Sequence, residues 1–442
     1  AAAALPPRAS SAAGWAARGL WRGGPWAAPA KASRLASRSQ PPLARPSGRR
    51  RPSLVRRAAE GAEAAAGTGD KPRVVFLGSP ECVCSVLRTM SGAAATASPP
   101  YHLCAVVTQP PKNVSKKGKL LLTKTPIQEL AEELGVDTIL APASARNEDF
   151  LAELEALAPD LCVTAAYGQY LPKRFLQAPR LGTLNLHPSL LPRWRGASPV
   201  QRSLVAGDGK TGITILYTVA KMDAGPIALQ RSIPLFGNET AAGLLDSLFA
   251  WGAELLVSEV MPRVFGGDLT IETAEPQNEA LVTLAPLIAK REGQLWPHNE
   301  TALQMRDKVR GFVGWPGTTL PIACSSSLAP LRGFRAKVTD AEVLPASELP
   351  PAPEGEQRPV EELIFVPAEG DRPAAVAIRP AVDPDSALLL RMWQLPGKQA
   401  TPALTFHKAY MTKQAARWTG PEEEAELAAQ AQQPKRKKQR RK

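Results

Sequence analysis

Between residues 71 and 264, short apolar runs alternate with stretches of helical period, and this alternation restricts the possible folds more than any other feature of the chain. The run Arg-Val-Val-Phe-Leu at 73–77 is closed by Gly78, Ser79 and Pro80, the pattern of a buried strand turning into a helix. Further strands are expected at 102–108, 137–140, 161–165, 182–186 and 212–217, and helices at 127–134, 149–157, 200–205 and 241–264. Parallel strands need crossover connections. The expected class is therefore α/β: a doubly wound, mostly parallel sheet covered on both faces, which binds ligands beyond the carboxyl ends of its strands.

After Trp315 the pattern changes to short strand-like runs without intervening helices, at 319–323, 336–338, 363–366, 374–378 and 387–392. This predicts a small β-barrel. The expected organisation is a leader at 1–70, a first domain at 71–270, a linker at 271–290, a barrel domain at 291–418 and a disordered basic tail at 419–442. Residues 345–358, rich in Pro and Glu, read as a flexible insertion.

The net charge of +13 sits at the ends of the chain. Residues 1–57 hold 12 Arg or Lys and no acid, residues 435–442 hold 7 more, and the stretch between has 35 basic against 41 acidic side chains. A polyanionic partner would then be met by local patches of the body. The leading segment, rich in Ala, Arg, Ser and Pro with no continuous apolar core, has the composition of an organelle transit peptide, for mitochondrion and/or chloroplast; the alternative is a basic arm that stays and binds RNA. Five cysteines and the absence of any run of 18 apolar residues point away from a disulfide scaffold and a membrane partner. A monomer is expected.

The most informative stretch is Asn185-Leu-His187-Pro-Ser189-Leu-Leu-Pro192-Arg193-Trp194-Arg195-Gly196. Asn185 and His187, two apart near the carboxyl end of a strand, point to the same side. Asp223 follows another strand. An amide donor, an imidazole and a carboxylate suit acyl transfer to an amine: the amide meets a developing oxyanion, the imidazole handles a proton and the carboxylate orients it. Any one of them alone would more simply cap a turn.

Residues 185–216 (NLHPSLLPRWRGASPVQRSLVAGDGKTGITIL) resemble the signature of methionyl-tRNA formyltransferases almost throughout. RVVFLGSP at 73–80, VVTQP at 106–110, AAYGQYLPK at 165–173 and GFVGWPGTTL at 311–320 support the resemblance, which covers about 72–418. It implies the formyltransferase fold followed by an OB-like barrel that helps hold tRNA. The implied reaction is transfer of a formyl group from 10-formyltetrahydrofolate, as co-substrate and without a metal, to the α-amine of methionyl initiator tRNA. Carried over by position, Asn185, His187 and Asp223 are catalytic: Asn185 bonds the formyl oxygen, His187 assists the attacking amine and Asp223 holds His187 or a water. Tyr167, Gly168, Ser189, Leu190, Leu191 and Pro192 are the implied folate contacts. Lys112, Lys116, Lys117 and Lys119, crowded with Lys124 into the implied basic insertion, and Arg193 and Arg195 are the implied tRNA contacts.

Pro188 departs from the family's usual Gly or Ala after the histidine and matches glycinamide ribonucleotide formyltransferases and the hydrolase domain of formyltetrahydrofolate dehydrogenase. A folate-dependent enzyme acting on a small molecule or on water is thus the alternative. Gly207-Asp-Gly209-Lys-Thr-Gly212 satisfies G-x-G-x-x-G but follows a helix and precedes a strand, the reverse of a dinucleotide site. Cys82 and Cys84 have the wrong spacing for a zinc or redox pair.

Overall fold

A computed structural model describes residues 71–432 apart from 117–118, 327–328, 353, 355–356 and 412–415. The expected leader, the basic run 435–442 and Lys117 lie outside the described residues. The chain from Gly69 onward clusters as one compact unit.

Strand β1 (Arg73–Gly78) has β2 (His102–Val107) beside it, while β3 (Lys112–Lys116) and β4 (Lys119–Thr123) pair only with each other. β5 (Ile139–Leu140), β6 (Leu161–Ala165), β7 (Thr183–His187), β8 (Lys210–Tyr217) and β9 (Ile227–Pro234) complete a sheet of order β5-β2-β1-β6-β7-β8-β9. The first five run parallel, and β8 and β9 are antiparallel. Alternate residues of β1 feed opposite faces. Val74 and Phe76 join a cluster with Leu87 and Phe249, whereas Val75 and Leu77 join one with Leu154 and Phe175. Strand order reverses at β1 and β6, which opens a crevice at their carboxyl ends.

Thr240 caps the helix Ala241–Leu255, which continues through a π turn at Leu256–Val260 into Met261–Phe265. Pro262 lacks the N–H that would bond Ser258, so the regular ladder breaks there. With a mean hydropathy of 1.3 over its best window, the helix is apolar enough to cross a membrane, yet Phe249, Ala253, Leu256 and Val260 are buried in the sheet's core.

The carboxyl-terminal region is a β domain of two antiparallel sheets. One contains β10 (Thr318–Ser326), β11 (Ala329–Val338), β16 (Met392–Gln394), β17 (Thr401–Pro402) and β18 (Arg417–Trp418); the other contains β12 (Ala341–Pro345), β13 (Ile364–Val366), β14 (Ala375–Ile378) and β15 (Ser386–Leu390). Leu320, Ile322, Val338, Ile378, Leu390 and Trp393 share one core with Met305 and Phe406 from the helices Ala302–Gly311 and Ala403–Tyr410.

Three segments differ from the sequence expectation. The lysine-rich stretch, implied only as a basic insertion, is an antiparallel hairpin in register from Lys112↔Thr123 to Lys116↔Lys119. Residues 345–358, read as a flexible insertion, begin with the last residue of β12 and a 3-10 turn at Ala346–Glu348, where regular structure was not expected; Arg358 donates to the carbonyls of Pro350 and Pro351, both at 2.8 Å, and 353 and 355–356 of this segment lie outside the described residues. Residues 421–432 of the expected disordered tail form a helix opened by Pro421 and three glutamates, a favourable helix start. Glu423 pairs with Arg417 and Glu424 with Arg335, while Leu427 sits against Gly333 of β11.

Candidate active site

Strand β7 places Asn185 opposite Thr164 of β6. The Thr164 hydroxyl donates to Asn185 Oδ1 at 2.8 Å, so the carboxamide's acceptor is engaged and its N–H donors remain for a ligand oxygen. Two residues on, His187 is 4% exposed, with Nε2 2.9 Å from the carbonyl of Trp194. A carbonyl only accepts, so Nε2 carries the proton and Nδ1 presents a lone pair. Nδ1 faces Asp223 Oδ2 at 3.8 Å. That separation is too long for a hydrogen bond, but a carboxylate so near stabilises an imidazolium once Nδ1 takes a proton.

Both groups flanking the imidazole come from left-handed backbone. Trp194 has φ 68° and Asp223 φ 49°, conformations that side-chain-bearing residues hold only when their surroundings impose them. Gly196 N donates to Asp223 Oδ2 at 2.9 Å, which fixes the carboxylate. The structure thus brings Asn185, His187 and Asp223 together.

The loop after His187 is fastened to the antiparallel strands. Thr214 of β8 donates to Ser189 O at 2.6 Å and accepts from Leu191 N at 3.2 Å, and Gln230 of β9 donates to Leu191 O at 2.9 Å. Ser189 is fully buried and its hydroxyl donates to Arg193 O at 2.9 Å, Leu190 is half-buried, and the Leu191–Pro192 peptide is cis. Thr164 and Gln230 lie on ordinary strands outside any motif, and Thr214, though inside the 185–216 stretch, carries no local sign of its role; only strand pairing brings Thr164 to Asn185 and Thr214 and Gln230 to the loop.

Arg193 and Arg195 behave differently. Arg193 is exposed, stacks over the Trp194 ring at 4.3 Å and pairs with Asp208 at 2.7 Å. Burial opposes ionisation of Asp208, but hydrogen bonds from Arg193, Trp194 and Ser203 overcome it and hold its pKa below the ordinary carboxylate value. Arg195, expected to meet tRNA, is only 2% exposed. Its Nε and Nη2 donate to Gln277 Oε1 at 3.0 and 2.8 Å, and Nη2 also reaches Glu279 at 3.0 Å. Its Nη1 is buried without a partner among the described residues, and a guanidinium so enclosed is unavailable to phosphate, so Arg195 is a brace.

Its partners come from residues 271–290, which are no free linker. Arg195 pairs with Leu284 in a parallel bridge, Trp194 N donates to the Thr283 hydroxyl at 2.9 Å, and Ser198 N donates to Ala285 O at 3.1 Å. This strap holds the loop from its far side. Glu279 accepts from both Arg195 and Lys221, which pull its carboxyl down to about 2, so the bridge persists over the working pH range and loosens only as pH falls through that value.

At the other wall, Tyr167 and Gly168 follow β6. Gln109 donates to Tyr167 O at 3.0 Å, and the Tyr167 ring packs in the core with Leu77 and Phe175, its hydroxyl buried without a partner among the described residues. Gly168 (φ 79°) lines a cavity of about 420 Å³ together with Gln109, Lys112, Arg146 and Tyr170. Lys112 Nζ bonds Gln109 at 2.7 Å, and Lys124 pairs with Glu132 at 2.7 Å. The hairpin also exposes Leu120, Leu121 and Leu122, a feature the lysines hide in the sequence. Among the described residues no group of three or more His, Cys, Asp or Glu could hold a metal ion. Burial raises the Cys82 thiol to about 11, far from a reactive thiolate.

Comparison with known proteins matches this geometry to a chemistry. The formyl transferase family profile matches residues 72–260. The methionyl-tRNA formyltransferase of Methylococcus capsulatus is 39% identical over 281 residues, 63% of this chain and 83% of that protein. That of Lactiplantibacillus plantarum is 35% identical over 312 residues, 70% of this chain and 92% of that protein. Among solved structures, WlaRD, a sugar 3N-formyl transferase, aligns with a TM-score of 0.49 at 13% identity, over 75% of this chain and 100% of that one. Relatives of this identity, covered over 83% and 92% of their own length, decide the matter: the chain belongs to the methionyl-tRNA formyltransferase family.

Proposed function

We propose that this protein transfers the formyl group of 10-formyltetrahydrofolate to the α-amine of methionyl initiator tRNA. The observation that carries the reading is the trio at the crevice: an amide oriented by Thr164, an imidazole with its Nδ1 lone pair free, and a carboxylate 3.8 Å away. The folate supplies the formyl group. Asn185 donates to the formyl oxygen as it gains negative charge, an interaction stronger in the transition state than in the ground state. The amine forms the new C–N bond while His187 accepts its proton at Nδ1 and Asp223 stabilises the resulting imidazolium; when the bond from the formyl carbon to folate N10 breaks, N10 takes that proton from His187 and tetrahydrofolate leaves. The loop of Ser189, Leu190, Leu191 and Pro192 and the wall of Tyr167 and Gly168 hold the folate; what supports this is that Thr214 and Gln230 fasten the loop in place and that Gly168 lines a cavity of about 420 Å³.

Incubation with 10-formyltetrahydrofolate and methionyl initiator tRNA should give formylmethionyl-tRNA, and an unmodified tRNA beside intact folate would contradict the reading. Thr164→Val removes the donor that orients Asn185 in nearly the same volume. It should slow transfer about tenfold with little loss of folding stability; an unchanged rate would mean that Thr164 does not set the amide.

In this reading the hairpin cations Lys112, Lys116, Lys117 and Lys119, with Arg193, meet tRNA phosphates. Replacing Lys116, Lys117 and Lys119 by Gln should flatten the dependence of log binding constant on log salt by roughly 0.7 to 0.9 for each phosphate no longer neutralised. An unaltered slope would place the RNA elsewhere. The leader's composition supports import into a mitochondrion or chloroplast, and the division at 71–270, 271–290 and 291–418 into a formyltransferase domain, a strap and an OB-like domain belongs to the same proposal. We favour a monomer acting without membrane attachment.

A further inference from the structure

Beyond the main-chain bonds at its two ends, the turn carrying Asp223 is gripped at four points that lead to Arg195 or its neighbour. Lys221 Nζ reaches Glu279 at 2.7 Å, and Glu279 in turn accepts from Arg195. Gln277 Nε2 donates to the carbonyls of Asp223 and Gly225, each at 2.8 Å. The carboxylate itself accepts from Gly196 N, next to Arg195 in the chain. The turn has little slack, since a Cβ on Gly225 would lie 1.7 Å from Tyr217 O.

The orientation of Gln277 is what makes this a device rather than a set of separate hydrogen bonds. Arg195 places two N–H donors on Gln277 Oε1, so the carboxamide cannot flip without setting its own N–H groups against a buried guanidinium. With the oxygen so fixed, the nitrogen must face the Asp223 and Gly225 carbonyls. A left-handed aspartate is thereby imposed by an arginine that never touches it.

We infer that Arg195 and Gln277 are positioning residues that set Asp223 at its distance from His187 Nδ1. The inference deepens the proposed catalysis and rests on it. Arg195 acts from inside the protein on the carboxylate, through an amide whose two ends have different jobs.

Gln277→Glu separates those jobs. A glutamate keeps an acceptor for Arg195, now as an ion pair, but has no donor for the two carbonyls. The expected result is a fall in kcat of roughly tenfold or more with KM for folate and acceptor within about threefold, and a melting temperature within about 4 °C of the parent. In an Asp223→Ala background the same substitution should change the single-turnover rate by less than about twofold, because its effect runs through Asp223. Gln277→Met, which removes both the donor to the carbonyls and the oxygen that Arg195 holds, without adding charge, gives the same two comparisons should the glutamate variant fail to fold. A kcat within twofold of the parent, or an equal fractional loss with and without Asp223, would overturn the inference. Each rate is a ratio to the parent on whichever acceptor the parent formylates, water included, so an error in the acceptor would not be mistaken for an error here.

Discussion

Asn185→Ala should lower the single-turnover rate of formyl transfer by about 10² to 10³, the loss expected when one preorganised oxyanion donor is removed. The carboxamide is half-buried and its oxygen already accepts from Thr164 at 2.8 Å, so truncation mainly deletes donors aimed at a ligand. Dissociation constants for folate and tRNA should stay within about threefold, because the interaction strengthens only as charge develops on the formyl oxygen. Rapid-quench kinetics with equilibrium binding on the same preparation measures both. Parallel losses in rate and binding would assign Asn185 to substrate holding instead.

Gly196→Ala should damage both folding and chemistry. Gly196 has φ 129°, and a Cβ there would lie 2.6 Å from Ala285 O, which is backbone and cannot swing aside. Left-handed strain of about 1–3 kcal/mol adds to an overpacking cost of similar size, so stability should fall by roughly 2–5 kcal/mol. The displaced N–H would also release Asp223 Oδ2, and transfer should slow by at least tenfold in whatever protein remains folded. Gly209→Ala is the control: no atom lies within 4 Å of its Cβ position and its φ is not positive, so it should be neutral or slightly stabilising. Equal stability of the two variants, read by denaturant unfolding, would mean that the strap does not press on the loop.

How far these features could be read in the sequence depends on how local their cause is. β1 was legible because Arg-Val-Val-Phe-Leu is apolar on both faces and closed by Gly78, and Asn185 and His187 because a two-residue spacing fixes a shared side. β9 was not, because an edge strand reading Ile-Ala-Leu-Gln-Arg-Ser-Ile-Pro mixes exposed and buried positions without a clean period. Arg195 shows the limit most sharply. An arginine beside a proline-rich loop reads as a phosphate ligand, and only the return of Gln277 and Glu279, more than 80 residues later, turns it into a buried brace. The same distance hid the strap: nothing local in Thr283 or Ala285 says that they bond the loop of Trp194 and Ser198. The helix at 421–432 was obscured for a different reason, as its glutamates and the basic run beyond it look like solvated tail until Leu427 meets Gly333.

The central claim is that formyl transfer goes to an aminoacylated tRNA although Pro188 follows His187. Its most direct test is single-turnover transfer from 10-formyltetrahydrofolate carrying a labelled formyl carbon, with methionyl initiator tRNA, glycinamide ribonucleotide and water compared as acceptors under one set of conditions. The account predicts that the label moves to the charged tRNA, with the other two acceptors slower by orders of magnitude. Transfer to the ribonucleotide alone, or release as formate alone, would contradict it.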